Sequence, residues 1–186
     1  MAGGAAPAAQ SPASSPASQF LAGLAAVCGR AYAGRIVANE PPQPNDAFEG
    51  RTLIVHVRTC EPGRMLVPFH VGEDRSRTFV LTIVGDRLRL KHDHRHQDGT
   101  SDVLTMYGGQ SLAAGTVSRQ EFPVDADSQA LFTREKREAS NTNTWAMELH
   151  PGRMFAYELT RPGGRKFRVE FDITKPVPAP PAPWGQ

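Results

Sequence analysis

From Arg30 onward, apolar and polar side chains alternate along the chain, and this alternation predicts β-strands. It is clearest near the C-terminus. Phe167, Val169, Phe171 and Ile173 occupy every second position, with Arg168, Glu170 and Asp172 between them. Such a strand has one apolar and one charged side. Phe155, Tyr157 and Leu159 form a second apolar row before the turn Pro162-Gly163-Gly164. Ten strands are predicted, over 31–38, 50–59, 64–71, 77–84, 87–96, 101–108, 117–123, 140–149, 153–161 and 165–173. Gly85-Asp86 and Asp98-Gly99 carry the chemistry of two-residue hairpins, and Glu61-Pro62-Gly63 and Pro151-Gly152 that of tight turns. Two short helices complete the set. One places Phe20, Leu21, Leu24, Val27 and Cys28 on one side, and the other spans 126–134 with Asp125 as its cap. A sheet with an apolar face must bury it, and two short helices cannot cover ten strands. The short sequential turns therefore predict an all-β fold: a roughly ten-stranded antiparallel up-and-down barrel with a short N-terminal helix and one short helix between strands.

The ends differ in composition from this body. Residues 1–19, rich in Ala, Pro and Ser, read as a disordered arm, and 20–174 as a single barrel domain. Residues 175–186 contain five prolines and read as an extended tail, flexible unless Trp184 folds back onto the domain. Met1–Ser18 holds no Lys or Arg, so the numbered chain lacks a secretory signal. An Ala/Pro/Ser-rich arm ahead of a folded domain suits an exported protein, periplasmic or secreted, whose signal has been removed. Lys and Arg number 21 against 19 Asp and Glu, too small a surplus for a nucleic-acid partner. No apolar run reaches the length of a membrane-spanning helix. Cys28 opens the first strand and Cys60 ends the second, which allows their sulfurs to meet in a disulfide; two buried thiols are the alternative.

The segment Leu88-Arg89-Leu90-Lys91-His92-Asp93-His94-Arg95-His96 carries the candidate chemistry. Its alternation puts His92, His94 and His96 on the face marked as inward by Leu88 and Leu90. A hairpin at Gly85-Asp86 sets Ile83 opposite Leu88, Leu81 opposite Leu90, Phe79 opposite His92 and Arg77 opposite His94. A hairpin at Asp98-Gly99 sets Ser101 opposite His96, Val103 opposite His94, Thr105 opposite His92 and Tyr107 opposite Leu90, with Arg95 against Asp102 outside. The barrel is then apolar at one end and polar at the other. Three roles fit. His92, His94, His96, Arg75, Arg77 and Thr105, with Tyr107 and Phe79 at the boundary, can hold the anionic or polar head of a mostly apolar small molecule. His92 and His94, with His96, can instead ligate zinc or iron, haem included, in an enzyme; His56 or His70 could add a ligand, although their apolar neighbours turn them outward. Finally, the cluster can be structural, closing the mouth of a barrel that takes no ligand. No nucleophile elbow, phosphate loop or zinc-protease motif occurs, no catalytic residue is assigned, and no motif specifies a cofactor.

A short helix leading into a ten-strand meander resembles the calycins, which include lipocalins, fatty-acid-binding proteins and nitrobindin-like barrels. The resemblance covers residues 20–174 and departs from lipocalins in lacking Gly-x-Trp near the first strand, where Gly29-Arg30-Ala31 stands. It implies a cavity for a small, mostly apolar ligand. The stretches His70–Arg77, Lys91–His96 and Tyr107-Gly108-Gly109 also resemble a family of uncharacterised exported bacterial proteins.

Overall fold

The computed structural model describes residues 14–44 and 46–186. Helix α1 (Pro16–Ala25) is followed by strands β1 (Ala31–Glu40), β2 (Leu53–His56), β3 (Thr59–Glu61), β4 (Arg64–Val71), β5 (Asp74–Val84), β6 (Arg87–His94), β7 (Tyr107–Gln110) and β8 (Arg119–Pro123). Helix α2 (Ala126–Arg134), a 3-10 turn over Glu138–Thr142, and strands β9 (Thr144–His150), β10 (Met154–Thr160) and β11 (Lys166–Val177) complete the chain. The strands run antiparallel in the order β7-β6-β5-β4-β2-β1-β11-β10-β9-β8, with β3 beside β4. This is a meander joined to itself through β1 and β11, a nearly closed barrel compatible with a calycin-like fold.

The alternation read from the sequence is the barrel's inside and outside. Leu53, Val55, Met65, Val67, Phe69, Phe79, Leu81, Leu88, Leu90, Trp145, Met147, Phe155, Val169 and Phe171 all point inward and are at most 2% exposed. Aromatic rings fill the axis. Phe69 lies 5.7 Å from Phe79 and 5.9 Å from Phe171, and Phe79 stacks on Tyr157 at 4.6 Å. α1 packs against β6, β8 and β9 through buried Phe20, Leu21 and Leu24. At the opposite end Phe48, from the β1–β2 connection, covers Phe69 and Phe167.

Several predicted bounds shift for local reasons. α1 begins at Pro16, inside the predicted arm, because Ser15 caps it, accepting from the Ser18 N–H at 3.1 Å, and Ala17 is fully buried. The rest of that arm, 1–13, lies outside the described residues. The predicted strand 50–59 is interrupted after His56 and resumes at Thr59. The predicted strand 101–108 does not form; only Tyr107–Gln110 joins β6. The Asp102 carboxylate accepts from the Leu104 N–H at 3.0 Å and Met106 takes a left-handed φ of 54°, so 102–106 leave the ladder as a loop. In consequence Tyr107, not Thr105, stands opposite His92, and Ser101 bridges to Arg95 rather than to His96. Arg95 pairs with Asp93 at 3.0 Å, not with Asp102. β11 runs on to Val177, and the tail beyond docks on β5, where the Trp184 N–H donates to the Arg75 carbonyl at 3.1 Å.

Cys28 and Cys60 form a disulfide with a Cα separation of 6.3 Å, tying the end of α1 to β3. Its sequence separation of 32 residues corresponds to about 3.7 kcal/mol of stabilisation through the unfolded chain. A Cys28→Ser, Cys60→Ser double variant is expected to unfold at lower urea, with stability reduced by that amount. An unchanged midpoint would show that the bond adds nothing to this barrel.

Candidate functional site

The inner row of β6 behaves as its alternation predicts as far as His94 and no further. Phe79 pairs with His92 and Arg77 with His94, as the Gly85-Asp86 hairpin requires. His92 is 4% exposed and closely surrounded by rings. It stacks on Tyr107 at 4.7 Å, meets Trp145 at 5.0 Å and stands edge-on to Phe79 at 5.4 Å. Its Nδ1 lies 3.1 Å from the Tyr107 carbonyl oxygen, which can only accept, so Nδ1 carries the proton. Nε2 then accepts from the Tyr157 hydroxyl at 2.9 Å. Both imidazole nitrogens are thus used within the protein, and the ring is neutral. Burial, then the neighbouring His94, lowers the His92 pKa to about 3. Burial pushes the Tyr107 hydroxyl up to about 12 and the Tyr157 hydroxyl well above its ordinary value.

His94 stands one step nearer the opening. Its Nε2 lies 3.1 Å from the Tyr107 hydroxyl, and burial, then the Arg77 guanidinium, lowers its pKa to about 4. Arg77 donates to Asp74 at 2.6 Å and covers the Phe48 ring at 5.3 Å, so its charge is already compensated.

Three predicted site residues lie elsewhere. His96 is exposed and beyond the end of β6, because the ladder stops where 102–106 turn away. The Thr105 hydroxyl accepts from the His94 N–H at 2.8 Å and donates to Asp93 at 3.3 Å, which holds it on the opposite side of β6 from the His92 ring. Arg75 is turned outward by a bulge: Phe69 pairs with Arg77 but Val71 with Asp74, which leaves one unmatched residue on β5. Its guanidinium donates to the Ala182 carbonyl at 3.2 Å. Among the described residues no three His, Cys, Asp or Glu side chains are grouped to hold a metal ion, and His92, with both nitrogens engaged, is not placed to ligate one.

The structure adds residues that the sequence did not single out. A cleft of about 240 Å³ opens at the mouth, lined by His94, Asp102, Leu104, Tyr107, Phe132, Arg137 and Ser140. α2 sets Phe132 against Tyr107 at 5.2 Å. This helix is positioned by its cap: Asp125 accepts from the Ser128 N–H at 3.0 Å and from Lys91 at 2.6 Å, while Ser128 bonds Gly108 of β7. The chain turns at Lys136, with φ 56°, and brings Arg137 to the rim. Arg137 is exposed and has no carboxylate within 4 Å among the described residues. Trp145 and Tyr157 were legible as inward positions of alternating strands; Arg137 and Ser140 lie in a connection with no periodicity to mark them.

The fold and this cleft define a nearly closed antiparallel barrel with a filled interior and a small mixed apolar and charged recess at one end. No protein-family model matches the chain, and no curated protein and no solved structure matches it significantly.

Proposed function

We propose that the protein is a small-molecule-binding barrel whose ligand sits in the mouth cleft. The observation that carries this reading is the recess of about 240 Å³ in which Arg137, without an acidic partner among the described residues, faces His94 and Tyr107 above an apolar floor of Leu104 and Phe132. A guanidinium at the rim of a half-apolar recess suits a carboxylate or similar anionic head. Phe79, Leu81 and Leu90 are packed into the core, so the apolar part of the ligand rests on Leu104 and Phe132 and is short. An exported setting agrees with the disulfide. The filled interior and the His92 ring, closed off by Tyr157 and the Tyr107 carbonyl, favour a second reading, a structural barrel without a ligand.

Titration with benzoate and with hexanoate, followed by calorimetry, separates the two. Binding readings require a dissociation constant below about 1 mM, the weak end of specific recognition, and a loss of about tenfold or more in Arg137→Ala, the scale of one charged hydrogen bond. No binding by either probe, or equal binding by Arg137→Ala, favours the structural barrel.

A further inference from the structure

The outer face of the sheet carries a second cluster, which shares no residue with the mouth cleft. Ile54 pairs with His70 across β2 and β4, and the bulge in β5 turns Arg75 to the same side. His56 is 9% and His70 3% exposed although both point away from the barrel interior. Arg58 lies two residues beyond the end of β2. Neither Arg58 nor Arg75 has a carboxylate within 4 Å among the described residues, and Asp74, the acid whose charge reaches His70, is held by Arg77 at 2.6 Å. Burial, then His56, Arg75 and Arg58, lowers the His70 pKa to about 4.

The C-terminal tail docks on β5 at the Arg75 side of this cluster. Arg75 donates to the Ala182 carbonyl at 3.2 Å, the Trp184 N–H donates to the Arg75 carbonyl at 3.1 Å, and the Gln186 amide donates to the Thr78 hydroxyl at 3.3 Å. Pro183 of the tail is buried. This closed arrangement leaves Arg58 Nη1, His70 Nε2 and Trp184 Nε1 buried without a hydrogen-bond partner. Buried polar groups are almost always paired, and leaving them unpaired is unfavourable. The Arg58 guanidinium and the His70 imidazole, beside Arg75, which also lacks a counter-ion, lack the same thing: a charged acceptor with several oxygens.

We propose that this face is a binding site for a small oxyanion of the phosphate class, and that residues 182–186 form a strap which the anion displaces. The Ala182 carbonyl occupies the Arg75 donor in the closed state, and an anion oxygen takes that donor over while others accept from Arg58. Once displaced, the strap exposes the Trp184 indole. The phosphate can be a free ion or the head of a phosphomonoester.

The test uses the full chain, with potassium phosphate against potassium chloride at matched ionic strength. Phosphate is expected to bind and to shift tryptophan emission to the red, and the shift is expected to vanish in Trp184→Phe. Arg58→Ala and, as a second variant, Arg75→Ala should each weaken phosphate by about tenfold or more, since each removes a charge-assisted donor. A chain ending at Pro181 should bind more tightly than the full chain, and Arg137→Ala at the mouth should leave phosphate affinity unchanged. Binding of glycerol 3-phosphate as well upholds the site as one for a phosphomonoester head; binding of inorganic phosphate alone upholds it as a site for the free ion. Equal effects of phosphate and chloride, equal affinities in the wild type and both arginine variants, or weaker binding by the shortened chain would each overturn it.

Discussion

Between pH 7.5 and pH 5 the folded protein is expected to lose about 6 kcal/mol of stability, from about 2 kcal/mol for each of His70, His92 and His94. Their folded pKa values of about 4, about 3 and about 4 lie below the 6.5 of an unfolded histidine. Each ring is therefore neutral in the fold at pH 5, while the unfolded chain takes up a proton. The stabilisation is fully present above pH 6.5 and declines as pH falls through that value toward the folded ones. The ion-paired carboxylates act in a lower window. Glu148 and Glu158, held down against the effect of burial by His150 and Arg168 and by Arg119 and Arg168 respectively, lose their contribution only below about pH 4.5. Urea unfolding from pH 7.5 to 5 checks this. His94→Gln should remove about a third of the loss. A flat profile in the wild type would place these rings in water.

Gly109→Ala is expected to destabilise the barrel by about 4 kcal/mol or more, among the largest effects of a single methyl group. At Gly109 an added Cβ would come within 1.8 Å of the Pro123 carbonyl oxygen, and at Gly108 within 2.0 Å of the Leu90 carbonyl oxygen. These are backbone atoms of neighbouring strands, which cannot move aside as a flexible side chain can. Gly109 marks the seam where β7 approaches β8 without a continuous ladder. The free edge there is covered instead by α2, whose Ser128 hydroxyl meets both the N–H and the C=O of Gly108 at 2.8 and 3.1 Å. Gly152→Ala serves as the control for side-chain bulk, since nothing lies within 4 Å of a Cβ there; its cost comes only from the φ of 66°. Thermal unfolding that treats the two variants alike would contradict the seam.

How far the sequence could be read follows from which forces act locally. The inner row from Leu88 to His92 and its partners Leu81 and Phe79 were legible because side-chain alternation and a two-residue turn together determine register. α2 was legible with its bounds, since Asp125 caps it through local bonds alone. The hairpin at Asp98-Gly99 misled because the turn forms, but Asp102 then captures the Leu104 N–H and the strand ends. His96 thereby lost its inward place. Arg75 left the inner face through a bulge that no residue type announces, and Arg137 reached the mouth through a turn at Lys136 that depends on tertiary packing.

We propose that recognition happens at the mouth of a filled barrel. Amide chemical-shift mapping by NMR during benzoate titration tests it most directly. Perturbations are expected at Leu104, Tyr107, Phe132 and Arg137, with the amides of Leu81, Leu90 and Val169 unmoved. Saturating shifts centred on Leu81, Leu90 and Val169 would mean that the ligand enters the barrel, and would contradict it.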